Sequence, residues 1–289
     1  MRNTSDINNS IRAVRQTSQI TNAMKLISTS KMQKANARYE ANRIYFDRVR
    51  SALKDILTHS RELHHTFLEK HESGIPAYVV IAADKGLAGA YNHNVLNFAF
   101  DKMPEGDKFV ISIGQETRAF FSRKKIPIDV EYLHVAQNPT LYETRRLVED
   151  ISKMYKEGIM SEVNLIYTRY FSTVKQKPVS IKLLPVELTD FDDVKLETEY
   201  GTELDYHPSA SQVFDTLVPQ YIVGLVYGAV VQAYASENSA RMVAMDNASR
   251  NASEMMSRLS IEMNHARQYA VTREITEIVG ALDAMAEEE

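Results

Sequence analysis

The last part of the chain carries an apolar stripe with the spacing of a long α-helix. Apolar or small residues recur at alternating intervals of three and four, at Met242, Met245, Ser249, Ala252, Met256, Leu259, Met263, Ala266 and Ala270. A second stripe, one residue out of phase, continues through Val271, Ile275, Ile278, Leu282 and Met285. This spacing places an apolar seam along one side of a helix, as in a coiled coil.

The first part of the chain predicts a second long helix with its own seam. This seam begins at Ile7, Ile11 and Val14, continues out of phase through Ile20, Met24 and Ile27, and ends at Met32, Ala35, Tyr39, Phe46, Val49, Leu53 and Ile56. Because other sequence separates the two helices, they can run antiparallel, and we expect one coiled coil. Met, Ser, Ala and Thr replace Leu and Ile at many positions, which fits either an irregular seam or a surface that slides against changing partners.

The middle of the chain predicts a small α/β domain. β-branched and apolar runs predict strands near Tyr78–Ala83, Phe109–Ile113, Ile128–Leu133, Val163–Phe171 and Val179–Val186. Helical stretches near 90–102, 115–124 and 139–157 separate the first four strands, which is typical of a mainly parallel, Rossmann-like sheet. The last two strands are close enough in sequence to form a hairpin. Asn138 is the predicted N-cap of the third helix, with Pro139 at its first position and Gly158 just past its end.

Glycine and proline support the same division of the chain. Residues 1–73 contain neither, whereas all 8 Pro and 7 of the 10 Gly fall between Gly74 and Pro219. Both residues interrupt long helices, so their absence favours uninterrupted helices at the two ends. The predicted fold class is α/β, with a long antiparallel coiled coil of N- and C-terminal helices and a Rossmann-like α/β domain inserted between them. The predicted bounds are 1–73 and 212–289 for the helices and 74–211 for the domain.

Composition and charge exclude several classes of protein and of functional site. The 289 residues are 44% hydrophobic and 25% charged, which is ordinary for a soluble protein. No run approaches the roughly 18–20 consecutive apolar residues of a spanning helix, so we expect no direct membrane insertion. The absence of Cys excludes disulfides, thiol nucleophiles and zinc–thiolate sites. Residues 1–73 carry 13 Lys and Arg against 7 Asp and Glu, whereas residues 212–289 carry 5 against 11, so the terminal helices can attract each other.

No residue pattern predicts catalysis. The glycine-rich turn Asp84–Gly89 lacks both the Gly–Lys–Ser/Thr of a P-loop and the three glycines of a dinucleotide site, so a tight strand-to-helix turn is favoured over nucleotide binding. His59, His64, His65 and His71 contain no i, i+4 pair for a metal, and no Gly-x-Ser-x-Gly elbow is present. The cations of the first helix are spread around it with few aromatic residues, which argues against a nucleic-acid arm. We therefore predict no catalytic residue, cofactor or metal.

Several long motifs resemble the gamma subunits of bacterial F-type ATP synthases. The first helix contains TSQITNAMKLISTSK, and the last contains SENSARMVAMDNASRNA and HARQYAVTREITEIVGA. The middle contains AADKGLAGAYN at the start of its domain and LDYHPSASQVFDTLVPQY at the return to the second helix. The resemblance covers essentially the whole chain, with the order and lengths of the three segments preserved.

This resemblance implies a central-stalk rotor subunit that carries torque and performs no bond chemistry itself. The implied partners are the alpha and beta subunits of the catalytic ring, the epsilon subunit and the membrane rotor c-ring. The implied location is the cytoplasmic face of the bacterial cell membrane, as a peripheral part of the ATP synthase complex. The alternatives are a non-rotary structural coiled-coil scaffold and a small nucleotide-using enzyme built on the α/β domain.

The resemblance also implies roles for individual residues. Family positions that face an acidic loop of beta correspond to Met24 and Lys25. Polar family positions of the last helix that contact the beta ring correspond to Arg241, Gln268, Thr272, Glu274 and Glu277. Family positions over the rotor ring correspond to Tyr206, His207 and Pro208. The chain departs from the family at His207, where Glu is common, so this contact can become sensitive to pH. It also departs at the C-terminal tip, where Asp283 and residues 287–289 are acidic, and we expect the last few residues to be dispensable for coupling.

Overall fold

The computed structural model describes residues 3–59, 65–194, 206–207 and 209–286, with side chains described as far as residue 280. The helices are α1 (Thr4–His59), α2 (Tyr91–Lys102), α3 (Gln115–Arg123), α4 (Leu141–Lys156) and α5 (Ala210–Ala286). The strands are β1 (Ile75–Ile81), β2 (Phe109–Ile113), β3 (Val130–Tyr132), β4 (Met160–Tyr170) and β5 (Gln176–Leu184), and a 3-10 helix covers Leu188–Phe191. Pro208, His64 and the acidic residues 287–289 lie outside the described residues.

The chain divides into two compact units. The helical unit contains the described residues up to Ile27 together with those from Met242 onward. The α/β unit contains Ser28–Arg241. Both α1 and α5 therefore contribute to both units.

The sheet of the α/β unit has the strand order β3-β2-β1-β4-β5. β1 pairs in parallel with β2 and β4, so that Val79 lies between Ile111 and Leu165, and β2 pairs in parallel with β3. β4 and β5 form an antiparallel hairpin at one edge. The predicted mainly parallel sheet with a terminal hairpin is confirmed.

Helices cover both faces of this sheet, as a parallel sheet requires. Alternate side chains of β1 enter different cores: Val79 and Ile81 pack in a cluster with residues of α1, α4 and α5, whereas Tyr78 and Val80 pack with residues of α2 and α3. The long helices of this unit are thus part of the sheet's own hydrophobic core. This packing fixes the sections of α1 and α5 that belong to the α/β unit.

Within the α/β unit, α1 and α5 meet through rings and glycines. Phe46 stacks on Tyr221, with ring centroids 5.8 Å apart and an interplanar angle of 4°. The same ring lies against Gly224, where an added Cβ would be 2.2 Å from Phe46 Cδ2. Tyr39 lies near Gly228, where an added Cβ would be 3.5 Å from its ring. The later residue of α1, Phe46, meets the earlier residue of α5, Gly224, and Tyr39 meets Gly228. The two sections are therefore antiparallel.

The predicted seams are partly confirmed. Within the helical unit, Ile7, Met245, Ala252 and Leu259 are buried, as expected. The out-of-phase section is wrong, because Ile20 and Ile27 are 60% and 57% exposed whereas Thr21 is 8% exposed. Thr21 lies in the interface instead, and its hydroxyl is 2.7 Å from that of Ser249 on α5. The continuation of the seam along α5 is also wrong: Ala270, Val271, Ile275 and Ile278 are all exposed.

One helix boundary also differs from prediction. The N-cap of α4 is Thr140, whose hydroxyl accepts a hydrogen bond from the backbone N–H of Glu143 at 3.3 Å, and not Asn138. The Thr140 hydroxyl satisfies one of the free N–H groups of the first turn, and Pro139 lies before the helix. Gly158, with φ +74°, follows the helix end as predicted.

Helix α5 is apolar enough over part of its length to resemble a membrane span. An 18-residue window between Ala210 and Gly280 reaches a mean hydropathy of 1.4, and 44% of it is buried inside the protein. Val218, Ile222, Val226 and Val230 of this helix belong to the core of the α/β unit. The sheet's need for apolar cover therefore accounts for much of the hydropathy of α5.

Candidate coupling surfaces

A polar contact joins α1 and α5 in the helical unit. The Lys25 ammonium donates to Asp246 Oδ1 at 2.6 Å, and the hydroxyls of Thr21 and Ser249 lie 2.7 Å apart. The two contacts are one helical turn apart on each helix and run in opposite chain directions, so this pair of sections is antiparallel. The predicted antiparallel coiled coil is therefore held here by side-chain hydrogen bonds as well as by apolar packing.

Asp246 is the centre of this contact. Its Oδ1 binds Lys25, and its Oδ2 accepts from Arg250 on the same helix at 2.6 Å. The hydrogen bond from Lys25, reinforced by the charges of both cations, holds the pKa of Asp246 below its usual value. Asp246 is therefore a carboxylate at neutral pH. Sequence reasoning missed this residue because a partner on α1 is visible only when the register of the two helices is known.

An apolar stripe on α1 lies outside the seam. Ile20 and Ile27 are more than half exposed, and Met24 lies between them on the same side of the helix, half-buried. Leu26, on another side of the same helical turn, is 63% exposed. Neighbouring exposed apolar residues mark interaction surfaces more often than isolated ones do. The residues predicted to continue the coiled-coil seam are thus a candidate surface for another chain, with Met24 at its centre.

The C-terminal section of α5 is exposed on all sides. The predicted contact residues Gln268, Thr272, Glu274 and Glu277 are all exposed, and Glu277 pairs with Arg273 at 3.1 Å. Large apolar side chains are exposed in the same section, namely Tyr269, Val271, Ile275, Ile278 and Val279. A helix with exposed apolar residues around its whole circumference is typical of one that a partner surrounds.

Arg241 belongs to the α/β unit and is largely buried. It forms an ion pair with Glu237 at 2.7 Å, in which the side chains are 12% and 9% exposed. Its guanidinium also donates to the backbone carbonyls of Lys85 and Gly86, at 3.2 and 3.1 Å. Arg241 thereby ties α5 to the glycine-rich turn that follows β1. Burial raises the pKa of Glu237, against the opposing effect of the Arg241 charge.

The glycine-rich turn is shaped by its own hydrogen bonds. Asp84 Oδ1 accepts from the backbone N–H of Gln115 at 3.0 Å, and Asn92 Oδ1 accepts from that of Ala83 at 3.1 Å. Leu87 and Gly89 have φ of +62° and +56°, which completes the tight strand-to-helix turn. Within residues 3–59, 65–194, 206–207 and 209–286, no three His, Asp or Glu side chains could together hold a metal ion.

Of the predicted rotor-ring residues, the structure describes Tyr206 and His207, which come shortly before the start of α5. The Tyr206 hydroxyl donates to Asp55 Oδ2 of α1 at 3.0 Å. Burial and this hydrogen bond raise the pKa of Tyr206 to about 12. His207 is exposed. Nearby, His65, which precedes β1, pairs with Asp215 of α5. Its Nε2 lies 2.8 Å from Asp215 Oδ1.

Comparisons with known proteins identify the family. A family model described as ATP synthase matches residues 3–285. The ATP synthase gamma chain of Ruminiclostridium cellulolyticum is 39% identical, over 98% of this chain and 99% of its own length. The chain belongs to the ATP synthase gamma-chain family. The gamma chain of Acetivibrio thermocellus is 38% identical over 95% of this chain and 96% of its own length, and no relative supports the scaffold alternative.

Solved structures agree with the gamma-chain fold. The rotor of the Euglena gracilis mitochondrial ATP synthase gives a TM-score of 0.66 at 17% identity, covering 93% of this chain and 98% of that one. The central stalk and c-ring structure of the Tetrahymena thermophila mitochondrial ATP synthase gives 0.62 at 23% identity, covering 80% and 99%. At such identities the agreement concerns the fold. As a member of the gamma-chain family, this chain is a subunit of ATP synthase.

Proposed function

We propose that this chain is the central rotor shaft of a bacterial ATP synthase and transmits torque between an ion-driven membrane ring and the catalytic beta subunits. Family membership supports the assignment to the complex. The observation that carries the rotor role is the division of α1 and α5 between two compact units. The same two helices form part of the sheet core in one unit and an antiparallel pair with exposed ends in the other.

The mechanism follows from differential contact. A rotor changes the state of a catalytic subunit only if its surface binds the conformations of that subunit with different free energies. The exposed side chains of Ile20 and Ile27 lie on one side of α1, with Met24 between them. An asymmetric surface of this kind favours a different beta subunit in each orientation. The chain itself then needs no catalytic residue, because bond chemistry takes place in the beta subunits.

Two sets of residues are proposed to contact the alpha and beta subunits. The first is Met24 with Lys25, which faces an acidic loop of beta. The second is the exposed section of α5 that contains Gln268, Thr272, Glu274 and Glu277. Arg241 is proposed as a further contact with beta. Its bonds to Glu237, Lys85 and Gly86 hold α5 against the glycine-rich turn that follows β1.

Contacts with the membrane rotor are proposed for the segment before α5. Tyr206, His207 and Pro208 would lie on the membrane rotor c-ring, beside the epsilon subunit. Tyr206 supports this role because its hydrogen bond to Asp55 anchors the segment to α1. The chain would therefore lie at the cytoplasmic face of the cell membrane as a peripheral subunit without cofactor.

Site-specific cross-linking tests this arrangement. Because the chain has no Cys, Thr272→Cys and His207→Cys each introduce one attachment point for a photoreactive group. In the assembled complex we expect Thr272 to cross-link to alpha or beta and His207 to c-ring or epsilon. Val174→Cys, in the hairpin between β4 and β5, is the matched exposed control. Cross-links from Thr272 to c-ring, or a chain that does not co-purify with beta, would contradict the proposal.

A further inference from the structure

Lys25 is held by Asp246 before any partner binds. Its ammonium lies 2.6 Å from Asp246 Oδ1, next to Met24 on the surface proposed to meet beta. We propose that Asp246 is a positioning residue that restrains and partly neutralises Lys25, and so sets the strength of the contact with the acidic beta loop. This inference rests on the proposed function and adds a residue of α5 to a contact otherwise assigned to α1.

The geometry makes Asp246 well suited to this role. Both carboxylate oxygens are engaged, Oδ1 by Lys25 and Oδ2 by Arg250, so the group is fixed in orientation. The Thr21–Ser249 contact one turn away fixes the register of the two helices. An ammonium fixed in this way has less freedom to reach an outside carboxylate than one on an unrestrained side chain, because its strong hydrogen bond to Asp246 must first be broken.

The net charge of this cluster determines how strongly it attracts an acidic loop. Lys25, Arg250 and Asp246 together carry one net positive charge. Loss of the Asp246 charge raises this to two, the same local change that a lysine in place of Met24 would cause. A rotor contact must release as readily as it forms, so a stronger attraction to beta retards release and lowers coupling. Asp246 thus limits the attraction that Lys25 can exert.

The test uses ATP synthase assembled with this chain in lipid vesicles, with ion pumping per ATP hydrolysed as the readout. We expect Asp246→Asn, which keeps the shape of the side chain, to lower pumping per ATP by about twofold, the scale of one exposed ion pair. Adding Lys25→Gln to Asp246→Asn should restore pumping, since the released cation is then absent. Lys25→Gln alone should change pumping less than Asp246→Asn does. Arg258→Gln, an exposed cation elsewhere on α5, is the matched control.

Three results would overturn the inference. Asp246→Asn with normal pumping would show that the restraint has no consequence. A double variant as impaired as Asp246→Asn would show that the carboxylate serves helix packing alone. A larger loss from Lys25→Gln than from Asp246→Asn would show that the cation is required rather than restrained. If Asp246→Asn fails to assemble, Lys25→Gln alone decides the matter, because a large loss of pumping in that variant would show the same. Failure of the wild-type chain to assemble or pump would instead refute the proposed function.

Discussion

The ring of Phe46 lies directly on the backbone of Gly224. A Cβ at position 224 would be 2.2 Å from Cδ2 and 2.5 Å from Cε2 of that ring. The ring cannot simply withdraw, because it is also stacked on Tyr221. The close approach of α1 and α5 in the α/β unit therefore depends on the absence of a side chain at one position.

We expect Gly224→Ala to destabilise the α/β unit by about 1–3 kcal/mol, the usual cost of overpacking a core. This exceeds the gain of about 1 kcal/mol that alanine brings to a helix interior. Gly228→Ala is the control, since its Cβ would meet Tyr39 at an ordinary 3.5 Å. Denaturant unfolding of the two variants provides the measurement. Equal stability in both would mean that Phe46 moves aside without loss.

The buried pair Glu237 and Arg241 predicts a second effect on stability. Arg241→Gln leaves the Glu237 carboxylate without its cation and should cost about 3 kcal/mol. The double variant Glu237→Gln/Arg241→Gln should recover part of that loss, because no buried charge remains. Arg250→Gln is the exposed comparison, with a side chain that is 73% exposed. A double variant less stable than Arg241→Gln would refute the unpaired-charge explanation.

The pH dependence of the Arg241→Gln variant has a defined sign. Burial already raises the pKa of Glu237 in the wild-type chain, and loss of the arginine raises it further. A carboxyl whose pKa is raised on folding destabilises the folded state as pH rises through that pKa. The stability difference between variant and wild type should therefore shrink as pH falls, and chemical unfolding across the acidic range measures it.

Arg50 and Asp193 predict the opposite dependence. The guanidinium of Arg50 donates to both oxygens of Asp193 and to the carbonyl of Asp190, and the hydrogen bond from Arg50 lowers the pKa of Asp193. A carboxyl whose pKa is lowered on folding stabilises the folded state at pH values above its pKa in the unfolded chain. This stabilisation is lost as pH falls through its pKa in the folded chain. Asp193→Asn should thus lower Tm at pH 7 but have no effect at strongly acidic pH. Asp192→Asn is the control, and an effect that persists in acid would contradict the ion-pair account.

These pairings mark the limit of what the sequence predicts. The strands, the hairpin and the two long helices follow from local periodicity, as Val79 and Ile81 illustrate by their burial in one core. The path of the seam does not, because Ile20 and Ile27 are more hydrophobic than Thr21 and yet are exposed. Hydrophobicity alone selects the wrong face when small polar residues can bond across the helix pair.

The candidate surfaces were predicted to differing degrees. The exposure of the C-terminal section of α5 could be anticipated from its predicted contact role, which itself stays a prediction. The internal partners of Lys25 and Arg241 could not, since Asp246 is separated from Lys25 by 221 positions and Arg241 from Gly86 by 155. Contacts of that kind depend on helix register and on the position of the sheet, which no local pattern contains.

Met24 provides a direct test of the proposed beta contact. Met24→Lys adds a cation to the exposed stripe between Ile20 and Ile27, beside the proposed acidic loop. We expect ATP hydrolysis to continue while ion pumping per ATP falls, because the contact becomes too strong. Met24→Leu keeps the apolar character and should pump normally. Equal efficiency of Met24→Lys and wild type would show that Met24 does not face that loop.

Rotation of the chain within the complex tests the central claim most directly. Val174 is 94% exposed in the hairpin between β4 and β5, and the chain has no Cys, so Val174→Cys accepts a single optical probe. With the catalytic ring fixed to a surface, addition of ATP should produce continuous rotation of the probe in one direction, and rotation should stop when ATP is removed. A probe that stays still while the same complexes hydrolyse ATP would contradict the account.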